Sequence, residues 1–214
     1  MKLLSKIQDI LSKHFVRNIN TYFFLFLSFV IGVSAGAFTV NGLSTAQNEE
    51  LSNYFHGFLK LLDKQDINGV ELLKAGLADN LKIILVLWGL GVTIIGIPFI
   101  YVIVGIRGFI TGFTSGFIIK VLGAKGMLFV SLSLLPKEMI IVPAIIAMGV
   151  SGINFSLTII KNKSLRHLSR ENLKTNFVAY CFVTLLFCSV ILVGITIDMY
   201  MTPVFIRMIS PIVT

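Results

Sequence analysis

Acidic side chains and histidines are scarce in this chain of 214 residues: Asp and Glu together number 10, and His 3. His14, His56 and His167 all lie in polar segments, and no HExxH pattern or pair of carboxylates stands inside an apolar run. An enzyme working within a membrane needs a nucleophile, metal ligands or paired acids at depth. The sequence therefore predicts no catalytic residue, no metal site and no cofactor. A Gly-x-x-x-x-Gly-Lys-[Ser/Thr] loop is also missing, so ATP hydrolysis by this chain is not expected. Cysteine is limited to Cys181 and Cys188, two turns apart on one helical face. At about 1.5 Å of rise per residue they are roughly 10 Å apart, too far for a disulfide.

What fills the chain instead is apolar. Hydrophobic residues make up 56% and charged residues 13%, and the mean hydropathy is +0.91. This balance defines an all-α, polytopic membrane helical bundle. The formal net charge of +8 could suggest nucleic acid. Its bases sit mainly beside apolar runs, however, so they read as orientation signals in a lipid bilayer, with no nucleic-acid partner. The first apolar run starts only at Tyr22 and is as long as a full span, so no cleavable signal peptide is expected.

Residues 1–20 read as a basic amphipathic helix on the inner membrane surface. Lys2, Lys6, Lys13 and Arg17 share one arc, opposite Leu3, Leu4, Ile7, Ile10, Leu11 and Phe15. The rest, 21–214, reads as the integral membrane domain. Its first span, 22–40, carries Gly32-xxx-Gly36, a small-residue packing face. The segment 41–82 is the largest polar excursion and is rich in acids. Leu51, Tyr54, Phe55, Phe58, Leu59 and Leu62 form a helical stripe along it. Such a stripe can lie on lipid, against the spans or against a partner's external domain. Leu51, Phe55, Phe58 and Leu62 are the candidate docking residues.

The second span is expected at 83–106, kinked by Pro98. Arg107 follows, and the insertion cost of a mid-bilayer charge assigns it to an interface. The third span, 108–122, contains Gly108, Gly112 and Gly116, which stack on one helical face. Glycines that would weaken a soluble helix let two membrane helices approach closely. The seam can lie within the bundle or between protomers of a homo-oligomer. Gly123-Ala-Lys-Gly126 is a turn, and Met127–Leu135, too short to cross, suits a re-entrant segment ended by Pro136-Lys-Glu138. Lys137 and Glu138 read as an interfacial pair. Spans at 139–160 and 177–197 flank a basic loop, and Asp198 reads as a boundary acid. The basic flanks place the amino end inside; five spans then place the carboxyl end outside.

Several segments together carry a family resemblance. They are Trp88-Gly-Leu-Gly-Val-Thr-Ile-Ile-Gly-Ile-Pro98, the glycine block from Gly108 to Phe117, Leu135-Pro136 with Pro143-Ala144, and Asp198-Met-Tyr-Met-Thr202-Pro203. Over essentially its whole length the chain resembles the stage II sporulation protein M family. In the wider family one segment often reads Pro-His-Gly-x-x-Glu-x-Pro; here Lys137, Glu138 and Ile141 occupy the His, Gly and Glu places, and Pro136 and Pro143 are kept. Asp198, Thr202 and Pro203 stand where that family ends in Glu-x-x-x-Thr-Pro.

The resemblance implies a non-catalytic membrane anchor needed for engulfment during endospore formation. Its implied partners are stage II sporulation proteins D and P, peptidoglycan hydrolases acting outside the membrane at the septum. The competing reading is a permease-like subunit served by a separate ATPase.

Overall fold

The computed structural model describes residues 15–64, 69–165 and 170–213, and every regular element among them is helical. In order these are α1 (Ile19–Asn41), α2 (Thr45–Lys64), α3 (Gly69–Gly91), α4 (Gly96–Leu122), α5 (Ala124–Phe129), a π-helical turn (Val130–Leu134), α6 (Leu135–Leu165) and α7 (Arg170–Val213). Four stretches are long and apolar enough to cross a membrane: Ile19–Asn41, Gly96–Leu122, Ala124–Lys161 and Leu173–Tyr200. Of the expected amino-terminal helix, residues 1–14 lie outside the described residues; 15–17 are helical, with a turn at Asn18.

Contacts along the helices fix their directions. Gly32 of α1 packs on Gly105 of α4, Gly36 on Phe109, and Gly116 on Ala37, so α1 and α4 run parallel. Two parallel neighbours need a return path between them, and α3 supplies it. Gly76 lies against Ile195 of α7, and Gly91 against Tyr180, so α3 descends antiparallel to α7 along the length of the bundle. Lys74, Asp79 and Lys82 set α3 apart from the four apolar stretches above.

Helix α6 is the central one: 78% of its apolar window is buried, against 22–28% for the windows of α1, α4 and α7. Small residues Ala144, Ala147, Gly149 and Gly152 admit the neighbours, and Leu25, Ile100, Val150 and Ile191 close the core at 0% exposure. Outside, Phe23, Phe24, Phe26, Val102, Val178 and Phe182 are exposed. An apolar belt this continuous needs lipid to cover it.

The turn expected at Arg107 lies elsewhere. The chain breaks at Val92–Ile95, and Gly96–Leu122 is one helix of 27 residues that runs straight through Arg107. Pro98 therefore kinks nothing. It sits in the first turn of α4, where its missing N–H would have had no helical partner. Nor does Pro136 end a re-entrant segment. Residues 124–165 continue as helix through the π turn, and the wider turn just before Pro136 relieves the clash its ring would make with the preceding turn. The predicted turn at Gly123–Gly126 narrows to Gly123 alone, because α5 already begins at Ala124. Gly123 has φ of 59°, and a Cβ on Gly126 would strike the carbonyl of Ile118.

Candidate functional site

Backbone contact dominates the α1–α4 seam. A Cβ on Gly32 would strike the Gly105 carbonyl, on Gly36 that of Phe109, on Gly108 that of Phe29, and on Gly112 that of Val33. Gly116 is looser, its Cβ position 3.2 Å from Ala37 Cα. The two glycine patterns thus face each other, and the glycine Cα–H groups point at partner carbonyls, a weak but repeated attraction. Ser28 Oγ donates to Tyr101 O at 2.8 Å, and Lys120 Nζ donates to Val40 O at 2.8 Å, capping the end of α1. Phe109 and Phe113 stack outside this seam with centroids 6.2 Å apart.

The break between α3 and α4 exposes carbonyls in an apolar setting, where each needs a donor. Ser156 of α6 provides one: its buried Oγ is 2.8 Å from Gly91 O and 2.9 Å from Thr93 O. Tyr180 of α7 donates to Trp88 O at 3.0 Å. The sequence alone pointed to neither residue. Pro98, suited to the first turn of a helix, was the available sign of a helix start there.

A layer of four partly buried charges joins three helices. Arg107 of α4 donates to Glu138 Oε1 of α6 at 2.9 Å, with side chains 14% and 12% exposed. Lys137, the preceding residue of α6, donates to Asp198 of α7 at 3.0 Å. Lys137 and Glu138 are thus not an interfacial pair with each other, and Arg107 does not mark a helix boundary. Each charge is matched on a different helix, so α4, α6 and α7 are cross-linked and the layer sums to zero. Arg107 lies beside Gly108, which packs on Phe29 near the midpoint of α1. Arg107 Nε and Glu138 Oε2 are buried with no hydrogen-bond partner among the described residues. A pair so placed stands or falls together, because removing one member strands the other.

Of the signature residues, Pro136 is half-buried one position before Lys137, and Pro143 lies inside α6, exposed. Lys137 brings Asp198 beside Pro136's turn. Thr202 and Pro203 continue α7, their side chains outside the described residues.

Helix α2 opens with a capping box: Ser44 N–H donates to Gln47 Oε1 at 3.0 Å, and Gln47 N–H to Ser44 Oγ at 3.3 Å. Its residue Phe55 meets Phe117 of α4 edge-on, centroids 6.1 Å apart, and packs on Ile118, Phe129 and Val130. Among the candidate docking residues, Phe55 is therefore occupied by the chain's own bundle and Leu51 is half-buried, while the side chains of Phe58 and Leu62 lie outside the described residues. Tyr54, on the face turned away, is 75% exposed.

Parallel and antiparallel helices, an apolar exterior and a partly buried ionic layer define a polytopic α-helical membrane protein. The family model described as stage II sporulation protein M matches residues 25–203, which include the glycine seam, the break at Val92–Ile95 and all four charges. The chain belongs to the stage II sporulation protein M family. Comparison with curated proteins and with solved structures found no match.

Proposed function

We propose that this protein is a non-catalytic membrane scaffold for engulfment during endospore formation, holding stage II sporulation proteins D and P at the septum. The family match carries the reading. The distribution of side chains supports it: Ser28, Ser156, Tyr180 and the four charges are committed to joining helices. The scaffold sits with Arg17, Lys161 and Lys174 in the cytoplasm, which leaves α2 and its acids Glu49 and Glu50 outside, where wall hydrolases work. Helix α2 is clamped to the bundle through Phe55 and offers its outer face, around Tyr54, to the partners.

The test is co-purification of the full chain with both hydrolases from sporulating cells in mild detergent. Retention of both is expected, with the hydrolases mislocalised but fully active in vitro when this chain is deleted. Failure to retain either, even after crosslinking, would sink the scaffold.

One observation favours a second reading, a permease-like subunit with a separate ATPase. A shielded ion pair such as Arg107–Glu138, with Arg107 at mid-length of α4, is the usual mark of an intramembrane pathway. A variant with both Arg107 and Glu138 replaced by leucine separates the two: it should still support engulfment as a scaffold and should fail as a permease.

A further inference from the structure

At the end of the bundle where α6 and α7 approach their basic connection, a half-open cavity of about 160 Å³ lies between Arg17 and these two helices. Arg17 is exposed at its edge and has no ion-pair partner among the described residues. Asn176 also lines it, and so does Asn154, whose amide nitrogen is buried with no hydrogen-bond acceptor among the described residues. The hydroxyls of Tyr180 and Thr158 in its wall are already committed, to Trp88 O and Asn154 O. Phe155, stacked on Tyr180 with centroids 4.9 Å apart, makes the wall apolar. None of the described lining residues is acidic.

Three features identify the occupant. The unused polar groups are one guanidinium and two amides, a set that suits an anion with several oxygens. The cavity also sits at the edge of the apolar belt: Arg17 stands just before α1, and Asn176 just before the apolar run that begins at Phe177. Phospholipid phosphates lie at that depth, and basic pockets between membrane helices are known to take them. Finally, the exposed bases Lys161 and Lys174 at the same end bias the site toward net negative lipids.

We propose that this cavity binds the phosphate of an anionic phospholipid. Arg17 pairs with the phosphodiester, Asn154 and Asn176 donate to its oxygens, and the Phe155–Tyr180 stack receives the glycerol and the first acyl carbons. This goes beyond the scaffold and does not depend on it.

Trp88, the only tryptophan, adjoins the site through the Tyr180 hydrogen bond and serves as the probe. The full chain in nanodiscs is titrated with brominated phosphatidylglycerol in a phosphatidylcholine background, and in parallel with brominated phosphatidylcholine. Quenching by the anionic lipid should saturate at a lower mole fraction. Arg17→Gln should raise that midpoint about fivefold, the effect of one base near an anionic surface. Lys161→Gln, which removes the same charge from the same end but outside the cavity, should move it far less. Equal quenching by the two lipids, or equal effects of the two substitutions, would overturn the site. Displacement of the lipid by millimolar glycerol phosphate would make it a site for soluble phosphate and overturn the lipid assignment.

Discussion

Arg107 of α4 and Glu138 of α6 meet at 2.9 Å beside the glycine seam, each largely shielded from solvent and each the other's ion-pair partner. Removing one leaves a buried charge uncompensated, at a cost of about 3–5 kcal/mol, whereas replacing both can be nearly neutral. Arg107→Leu and Glu138→Leu are each expected to lower the membrane level and the detergent denaturation midpoint, and the double variant to recover most of both. Additive losses in the double variant would show that the two residues act independently. A double-mutant cycle on the purified protein measures this.

At Gly112 the α1 backbone is so close that any side chain would meet the Val33 carbonyl. Gly112→Leu is expected to abolish accumulation by forcing α1 and α4 apart. Gly116→Ala, facing Ala37 with more room, should be far milder, near the lower end of the roughly 1–3 kcal/mol typical of overpacking. Immunoblotting of membranes reads both. Equal effects at the two positions would contradict the graded seam. Normal levels of Gly112→Leu with lost complex assembly would move the seam to a contact between protomers.

The glycine patterns themselves were legible, since their fourfold spacing is plain in the sequence; that Gly32 and Gly36 face Gly108 and Gly112 was not. The turn at Val92–Ile95 was hidden for a different reason. Gly91, Gly96 and Pro98 fit a kinked span as well as they fit a new helix. What decides between them is tertiary: donors from Ser156 and Tyr180, 65 and 92 residues along the chain, which satisfy the broken backbone. Shifting that turn placed Arg107 in mid-helix, and its partner Glu138 was invisible because no local pattern links residues on different helices. The expected direction of each crossing rests on basic flanks alone and is not altered by where the turn falls.

Ser156 is fully buried, and its one O–H is shared between two carbonyls of the break. Ser156→Ala should destabilise the protein by about 1–3 kcal/mol, the cost of leaving buried acceptors unsatisfied. Tyr180→Phe should do the same, because Trp88 O loses its side-chain donor. Thermal denaturation in detergent checks both. An unchanged midpoint for Ser156→Ala would show that the break does not rely on α6.

The position of the turn is also open to chemistry. In a chain with Cys181 and Cys188 replaced by alanine, a cysteine substituted at Gly42 should react with an impermeant maleimide in intact cells. One at Thr93 should react only after permeabilisation, and one at Ile106 in neither case, since it faces the apolar belt. Labelling at Ile106 from the cytoplasmic side would restore a boundary at Arg107.

The scaffold is tested most directly where α2 turns away from the bundle. A photo-crosslinking amino acid is placed at Tyr54, with Val102 on the lipid-facing side of α4 as the control. During sporulation, Tyr54 should yield adducts with stage II sporulation protein D or P, and Val102 none. Adducts with neither protein from Tyr54, in cells that complete engulfment, would contradict the account.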